Sequence, residues 1–376
     1  MDDGAVLGTR ALNRALLARQ HLLARADGSV LDLVEHLVGL QAQEPQEPYV
    51  GVWSRLRGFA PEELSGLLEA RSAVRTLLMR RTLHLVSARD CLALRSLHDP
   101  MLVARMRGTL GRRLPGVDEE ALAAAGRPLF AATASTLTEV ARGVGDQWPK
   151  AAARDLGDAL STLLPLVQVP PRGLWRQNGP ARNTTVGAWL GAEPAEPTPE
   201  TAEALVLRYL AAYGPAATTD LRAWSGLTGL PAVVARLRPG LRTFRDERGR
   251  MLLDVPGAPL PHPDTPAPVR FLPAFDNAVL GFDDRSRIID DADRGLSVLG
   301  ARFLLVDGRV AGTWTTAQDG GALYVNVNVN VNVNVNLTAH RRLTADERAD
   351  IEQEGARLAA FLADGDPVGG VRLMAR

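Results

Sequence analysis

Between residues 198 and 260 the spacing of apolar side chains changes its period partway along. Ala204, Leu205, Leu207 and Leu210 fall at helical intervals within Thr201 to Tyr213, and Gly214 followed by Pro215 ends that run. Thr219 is placed to cap a second helix running through Trp224. Pro231 stands at the first turn of a third, Ala232 to Arg238, which carries Val233, Val234 and Leu237. The period then drops to two: Leu241 to Phe244 and Met251 to Val255 flank a polar turn, Asp246 to Arg250, as in a hairpin. Three short helices followed by a hairpin are the order of a winged helix, in which the third helix commonly lies against DNA and the hairpin forms the wing.

The same order repeats near the start. Leu12, Leu16 and Leu17 form one helical stripe, Ser29 caps a second helix with Val30, Leu33, Val34 and Leu37 on one face, and Pro61 opens a third with Leu64, Leu67 and Leu68. Val74 to Met79 and Thr82 to Val86 then alternate across Arg80 and Arg81, which predicts a tight hairpin. Short helices over Asp118 to Ala124, Thr138 to Val144 and Ala151 to Leu163, followed by the Pro/Gly/Trp-rich stretch Val167 to Trp189, suggest a third copy; Gly191 to Glu200 reads as a linker. Beyond residue 262 strands dominate: Val269 to Leu272, Arg302 to Val306, an Asp307-Gly308 turn, Arg309 to Thr315, and a long alternation from Leu323 to Leu337. A small antiparallel sheet or barrel is the natural reading. Thr344 and Glu347 form the capping box of a closing helix with Ile351, Leu358 and Leu362 inward. The six Val-Asn units from Val325 to Asn336 fit one strand, and no function is drawn from so regular a repeat.

The expected class is therefore α+β: three tandem winged-helix units, residues 1–115, 116–190 and 198–260, followed by a C-terminal β-barrel over 262–376 with a closing helix.

With 376 residues, 46% of them hydrophobic, the chain can bury a sizeable core. No apolar run approaches the ~18 to 20 residues of a membrane span, and Asp2 and Asp3 stand where a secretory signal carries positive charge; a cytoplasmic protein without a membrane partner is expected. Cys91 is the single cysteine and the six histidines lack ligand spacing, so no disulfide, metal or other cofactor is predicted. A formal charge of zero speaks against a nucleic-acid partner. Its distribution softens the objection: residues 1–115 hold 16 basic and 12 acidic side chains, whereas residues 261–376 hold 12 and 16.

Five stretches in order then resemble the landmarks of one family: Leu40-Gln41-Ala42-Gln43-Glu44-Pro45; Arg80-Arg81-Thr82-Leu83-His84-Leu85-Val86; Tyr209 to Ala216 with Asp220 and Trp224; Leu272-Pro273-Ala274-Phe275-Asp276-Asn277; and Val306 to Trp314. The chain is identified by them as similar to the winged-helix DNA glycosylases typified by AlkZ and YcaQ. The resemblance implies three tandem winged helices in a C-shaped arrangement, a C-terminal β-barrel, and monofunctional excision of N7-alkylated guanine from double-stranded DNA by a monomer. In that family Gln-x-Gln marks the AlkZ-like branch and Gln-x-Asp the YcaQ-like branch, so Gln41-Ala42-Gln43 sides with the former. Members of that branch accompany toxin-producing actinomycetes, which implies self-resistance to a DNA-alkylating product, interstrand crosslinks included.

Pro45 and Pro48 disfavour helix for Glu44 and Glu47, so the chain should leave its helix near Leu40 and run extended, with Gln41 and Gln43 facing one pocket. Carboxamides can hold a water against a sugar C1′ and place carbonyl oxygen near an oxocarbenium charge, although neither is a general base at neutral pH. That suits a cationic N7-alkylguanine, which leaves readily. Glu44 and Glu47 are rival carboxylates, read here as solvated loop charges. A lyase would need an amine; Lys150, the only lysine among 43 basic residues, lies in a polar stretch with nothing apolar to lower its pKa, so hydrolysis by water is favoured.

Candidate DNA contacts are Arg80, Arg81 and His84 in the first hairpin, Arg172, Trp175, Arg176, Arg182 and Asn183 in the central stretch, and Arg236, Arg238, Arg245, Arg248 and Arg250 around the last unit. Trp175 is read as core rather than wedge. A non-enzymatic winged-helix regulator remains the competing reading, and the sequence separates it only weakly.

Overall fold

The computed structural model describes residues 4–329 and 343–374. Fifteen α-helices and three sheets account for them. The local signals hold where they depend on neighbours in sequence. Ser29 accepts a hydrogen bond from the Asp32 amide to start the helix Val30–His36, and Thr344 with Glu347 makes the capping box of Ala345–Ala363.

Ala73–Leu77 and Leu83–Ser87 pair antiparallel across the five-residue connection 78–82, in which Arg80 (φ 56) and Arg81 (φ 62) are both left-handed. The Thr82 amide donates to the Met79 carbonyl, so the two arginines are the central pair of a tight turn within that connection, left-handed without glycine or asparagine. The hairpin forms the middle of a six-stranded antiparallel sheet. Leu40–Gln41 lies outside Leu83–Ser87; on the other side Ala73–Leu77 meets Leu166–Gln168, then Arg182–Thr185, then Ser135–Thr136. Residues from the first and the central part of the chain thus share one sheet, with Arg75 opposite Gln168.

Two helices lack the pattern that would announce them. Ala88–Leu110 buries Asp90, Arg95 and His98 among Cys91, Leu94, Met101, Leu102, Met106 and Leu110, so polar residues interrupt its apolar stripe; Arg95 donates to the Thr162 and Leu164 carbonyls. Glu47–Trp53 begins where Pro48 was expected to keep the chain extended, because proline is tolerated in a first helical turn.

In the last part of the chain, a three-stranded sheet joins Arg242–Asp246 and Met251–Asp254 to Val6–Leu7, near the start of the chain. The C-terminal strands Arg270–Ala274, Arg302–Val306, Arg309–Asp319, Ala322–Asn328 and Val368–Met374 follow one another in a five-stranded sheet. The expected barrel is corrected here: among the described residues the first and last of these strands do not pair, so the sheet is open. Its apolar face is covered instead by Ala345–Ala363, whose Ile351 and Leu358 pack with Phe271, Trp314, Val325 and Val327. The Val-Asn alternation is strand as far as Asn328; from residue 330 to 336 it lies outside the described residues.

Buried charges tie these layers together. Arg55 and Asp276, neither exposed, form a bidentate pair at 3.0 and 2.9 Å, and Arg19 pairs with Asp254 at 2.6 and 2.8 Å. Asn277 donates to the Gly39 carbonyl (2.7 Å), which fixes the C-terminal sheet against the strand that carries Gln41.

Candidate active site

Gln41 ends the edge strand beside the first hairpin, opposite His84. The left-handed turn aims the Arg80 guanidinium back at it: Nη2 donates to Gln41 Oε1 (2.8 Å) and Nη1 to the Trp224 carbonyl (2.7 Å). Burial pushes Arg80 down to about 10, so it keeps its proton at neutral pH, and the groups it touches are neutral. Gln41 is 8% exposed and has committed its carbonyl oxygen to this bond.

Gln43, two residues on, is exposed; its Oε1 accepts only a long bond from the Leu83 amide (3.4 Å). It stands on the wall of a cavity of about 200 Å³ with Leu77, Arg81, Leu83, Leu137, Asp158, Ser161, Leu166, Gln168 and Asn183. The two glutamines do not share that cavity. Gln41 touches a void of about 10 Å³ beside Glu47, Pro273, Asp276 and Asn277. The expectation that both face one pocket is corrected here: Gln41 is buried and bonded to Arg80, whereas Gln43 is exposed on the wall of the larger cavity.

Arg81 crosses the cavity wall to Asp158 (2.8 Å) and Thr162 (3.1 Å), which neutralises the one carboxylate there. Asn183, 6% exposed, donates to the Ala181 carbonyl and lies opposite Gln168 in the strand pair. His84 is 1% exposed and hydrogen-bonded to the Thr82 carbonyl; burial, then the Arg80 charge, hold it down to about 3. It is a neutral core side chain and presents no surface to DNA.

The rival carboxylates separate. Glu44 is exposed. Glu47, expected in solvent, is 3% exposed: it accepts from the Ala274 amide (2.6 Å) and from Arg302 (2.9 Å to Nε). It starts a helix and anchors the C-terminal sheet. Both line a larger cavity of about 770 Å³ with Arg172, Asn178, Arg302 and Trp314.

The remaining candidates scatter. Arg172 donates to the Gly179 carbonyl. Trp175 packs on Tyr49 (4.9 Å between ring centres) and Phe361 (5.2 Å) and donates to Asp364, so it lies half-buried against the core. Arg176 pairs with Asp366, Arg182 with Glu139, Arg236 with Glu203, and Arg248 and Arg250 both with Asp284. Arg245 donates to the Gly249 carbonyl, and Arg238 is exposed. The family landmarks Tyr209, Tyr213 and Trp224 are buried, with the two tyrosine rings stacked at 4.8 Å; Asp220 accepts from the Ala217, Asp283 and Asp284 amides.

Sequence reasoning missed Gln168 and Asp158, which come to Gln43 only through the six-stranded sheet and the helix Ala153–Leu163. No cluster of metal-binding side chains occurs among the described residues, and no helix there is long and apolar enough to cross a membrane.

The family profile described as DNA glycosylase AlkZ-like matches residues 34–361. Among solved structures, the DNA glycosylase AlkZ of Streptomyces sahachiroi is similar in fold, with a TM-score of 0.75 over 98% of this chain and 100% of that one, at 21% sequence identity. No curated protein matches the sequence.

Proposed function

Because the chain belongs to the AlkZ-like DNA glycosylase family, we propose that it hydrolyses the N-glycosidic bond of cationic N7-alkylguanine in duplex DNA, using Gln43 and Gln41. One observation carries this reading: Gln43 projects, with little else to bind, from the wall of a cavity that holds carboxamides and leucines and whose sole carboxylate is already paired to Arg81. Such a site can orient water but offers no strong base. It therefore favours a base that leaves without help. In the proposed step Gln43 Oε1 holds a water against C1′; the C1′–N9 bond breaks as its electron pair neutralises the alkylated purine, the water oxygen bonds to C1′, and its proton passes to solvent. Gln41, locked by Arg80, braces the strand from whose end Gln43 projects. No lysine lines the cavity, which supports hydrolysis over a Schiff-base lyase.

Within this reading, the helix and hairpin orders of residues 1–115, 116–190 and 198–260 act as winged-helix units around the duplex, and the exposed Arg238 and Arg245 are its phosphate contacts in the last unit. The Gln-x-Gln motif extends the substrate to bulky N7 adducts and crosslinks met in self-resistance. Incubating the enzyme with DNA methylated at guanine N7 and heating in alkali should give strand breaks. The Gln41→Ala, Gln43→Ala double variant should lose about 100- to 1,000-fold in excision with its DNA affinity kept. Unchanged excision by that variant removes both glutamines from the mechanism.

A further inference from the structure

The half-buried Gln168 stands out in the cavity beside Gln43, because its Oε1 is buried without a hydrogen-bond partner among the described residues. An amide oxygen buried without a partner costs stability, so a fold that retains one gains something else from it. The surroundings say what. Leu77, Leu83, Leu137 and Leu166 supply apolar walls, Asn183 sits directly across the strand pair, and the volume of about 200 Å³ falls below the ~300 Å³ at which drug-sized pockets begin. Apolar faces with hydrogen-bonding groups at the rim are what an extruded nucleobase requires.

We propose that Gln168 binds the Watson–Crick edge of the extruded purine through both atoms of its carboxamide. This rests on the reading of Gln43 as the neighbouring catalytic group. Guanine presents an acceptor, O6, next to a donor, N1–H; adenine presents a donor, N6–H₂, next to an acceptor, N1. Either pair fits a carboxamide, in opposite rotations. Among the described residues no hydrogen bond to Oε1 holds the Gln168 amide in one rotation, so it takes both. N7-alkylguanine and N3-alkyladenine keep these edges intact and are both cationic, so the pocket serves cationic alkylpurines as a class rather than guanine adducts alone.

The test uses duplex DNA carrying 7-methylguanine and 3-methyladenine, with release of each base measured for the unmodified enzyme, Gln168→Leu and Gln43→Ala. The unmodified enzyme should release both bases. Gln168→Leu should slow both by about 10- to 100-fold, and because it removes a buried unpaired amide oxygen its melting temperature should be no lower than that of the parent. If Gln43→Ala abolishes release while Gln168→Leu leaves 7-methylguanine release unchanged, the assignment of Gln168 is overturned and the catalytic reading stands. If Gln43→Ala has no effect, the catalytic reading fails first. Release of 7-methylguanine without 3-methyladenine by the unmodified enzyme would overturn the rotation argument.

Discussion

Arginines of two hairpins of this chain are used in opposite ways, Arg80 in the first and Arg248 with Arg250 in the last, although Arg81 beside Arg80 is paired with Asp158. In Ala73–Leu77 with Leu83–Ser87, Arg80 touches only neutral acceptors, Gln41 and the Trp224 carbonyl, and its charge survives next to the glutamine motif. In Arg242–Asp246 with Met251–Asp254, Arg250 reaches both Asp246 (2.7 Å) and Asp284 (2.6 Å), and Arg248 shares Asp284 at 3.3 Å. Positive charge counted from sequence is therefore a poor guide to where phosphate can bind. What decides is whether a carboxylate has arrived first. A chain with no net charge can still present local positive potential wherever its arginines are held by amides and carbonyls.

The strongest way to break this contrast is Arg80→Met, which keeps much of the stem and removes the charge and both bonds. Excision should fall by about 10- to 100-fold, since a charge-assisted hydrogen bond is worth about 1.5–3 kcal/mol and Gln41 loses its anchor. Steady-state release of 7-methylguanine at two salt concentrations measures it. A loss under threefold would mean that the surviving charge of the first hairpin has no bearing on the site.

The sequence announced both hairpins but not what they pack against. Both turns were legible because alternation and polar turn residues act over a few positions, and Gln43 and Asn183 were singled out before their meeting in one cavity was visible. Gln168 was not, because its position follows from the pairing of Arg75 with Gln168 across distant segments. Glu47 was misread as a solvated charge because its partners, Arg302 and the Ala274 amide, lie far along the chain. The barrel failed for a similar reason: strand count does not say whether a sheet closes on itself or is covered by a helix.

Acid sharpens the comparison next, because the first hairpin contains a buried neutral histidine and the last does not. His84 faces Arg80 and, more distantly, His98, itself held by burial at about 4. The folded state keeps His84 unprotonated down to about 3, whereas an unfolded chain binds that proton near 6.5. Its stabilising contribution is thus complete above pH 6.5 and declines as pH falls through the window toward 3. At pH 5 the loss should be about 2 kcal/mol from this group. Urea unfolding of the parent and His84→Gln at pH 7 and pH 5 tests it: the parent should lose that much more than the variant between the two pH values, and equal losses would place the acid sensitivity elsewhere.

The smallest effect should come from Arg248→Gln in the last hairpin. Arg248 is largely exposed, and its one carboxylate partner, Asp284, is held below the usual carboxylate range, against the upward push of burial, by hydrogen bonds from Ser286 and by the charges of Arg250 and Arg248. With its charge already matched by Asp284, Arg248 should contribute little to phosphate binding, and duplex affinity should change by no more than about twofold. The salt dependence is the more searching measurement. Each phosphate neutralised contributes about 0.9 to the slope of log affinity against log salt. An unchanged slope in Arg248→Gln, beside a slope reduced by about one in Arg80→Met, would place the duplex on the first hairpin. The reverse pattern would mean that Arg248 releases Asp284 on binding, and that DNA, rather than the protein's own carboxylates, sets which arginines are free.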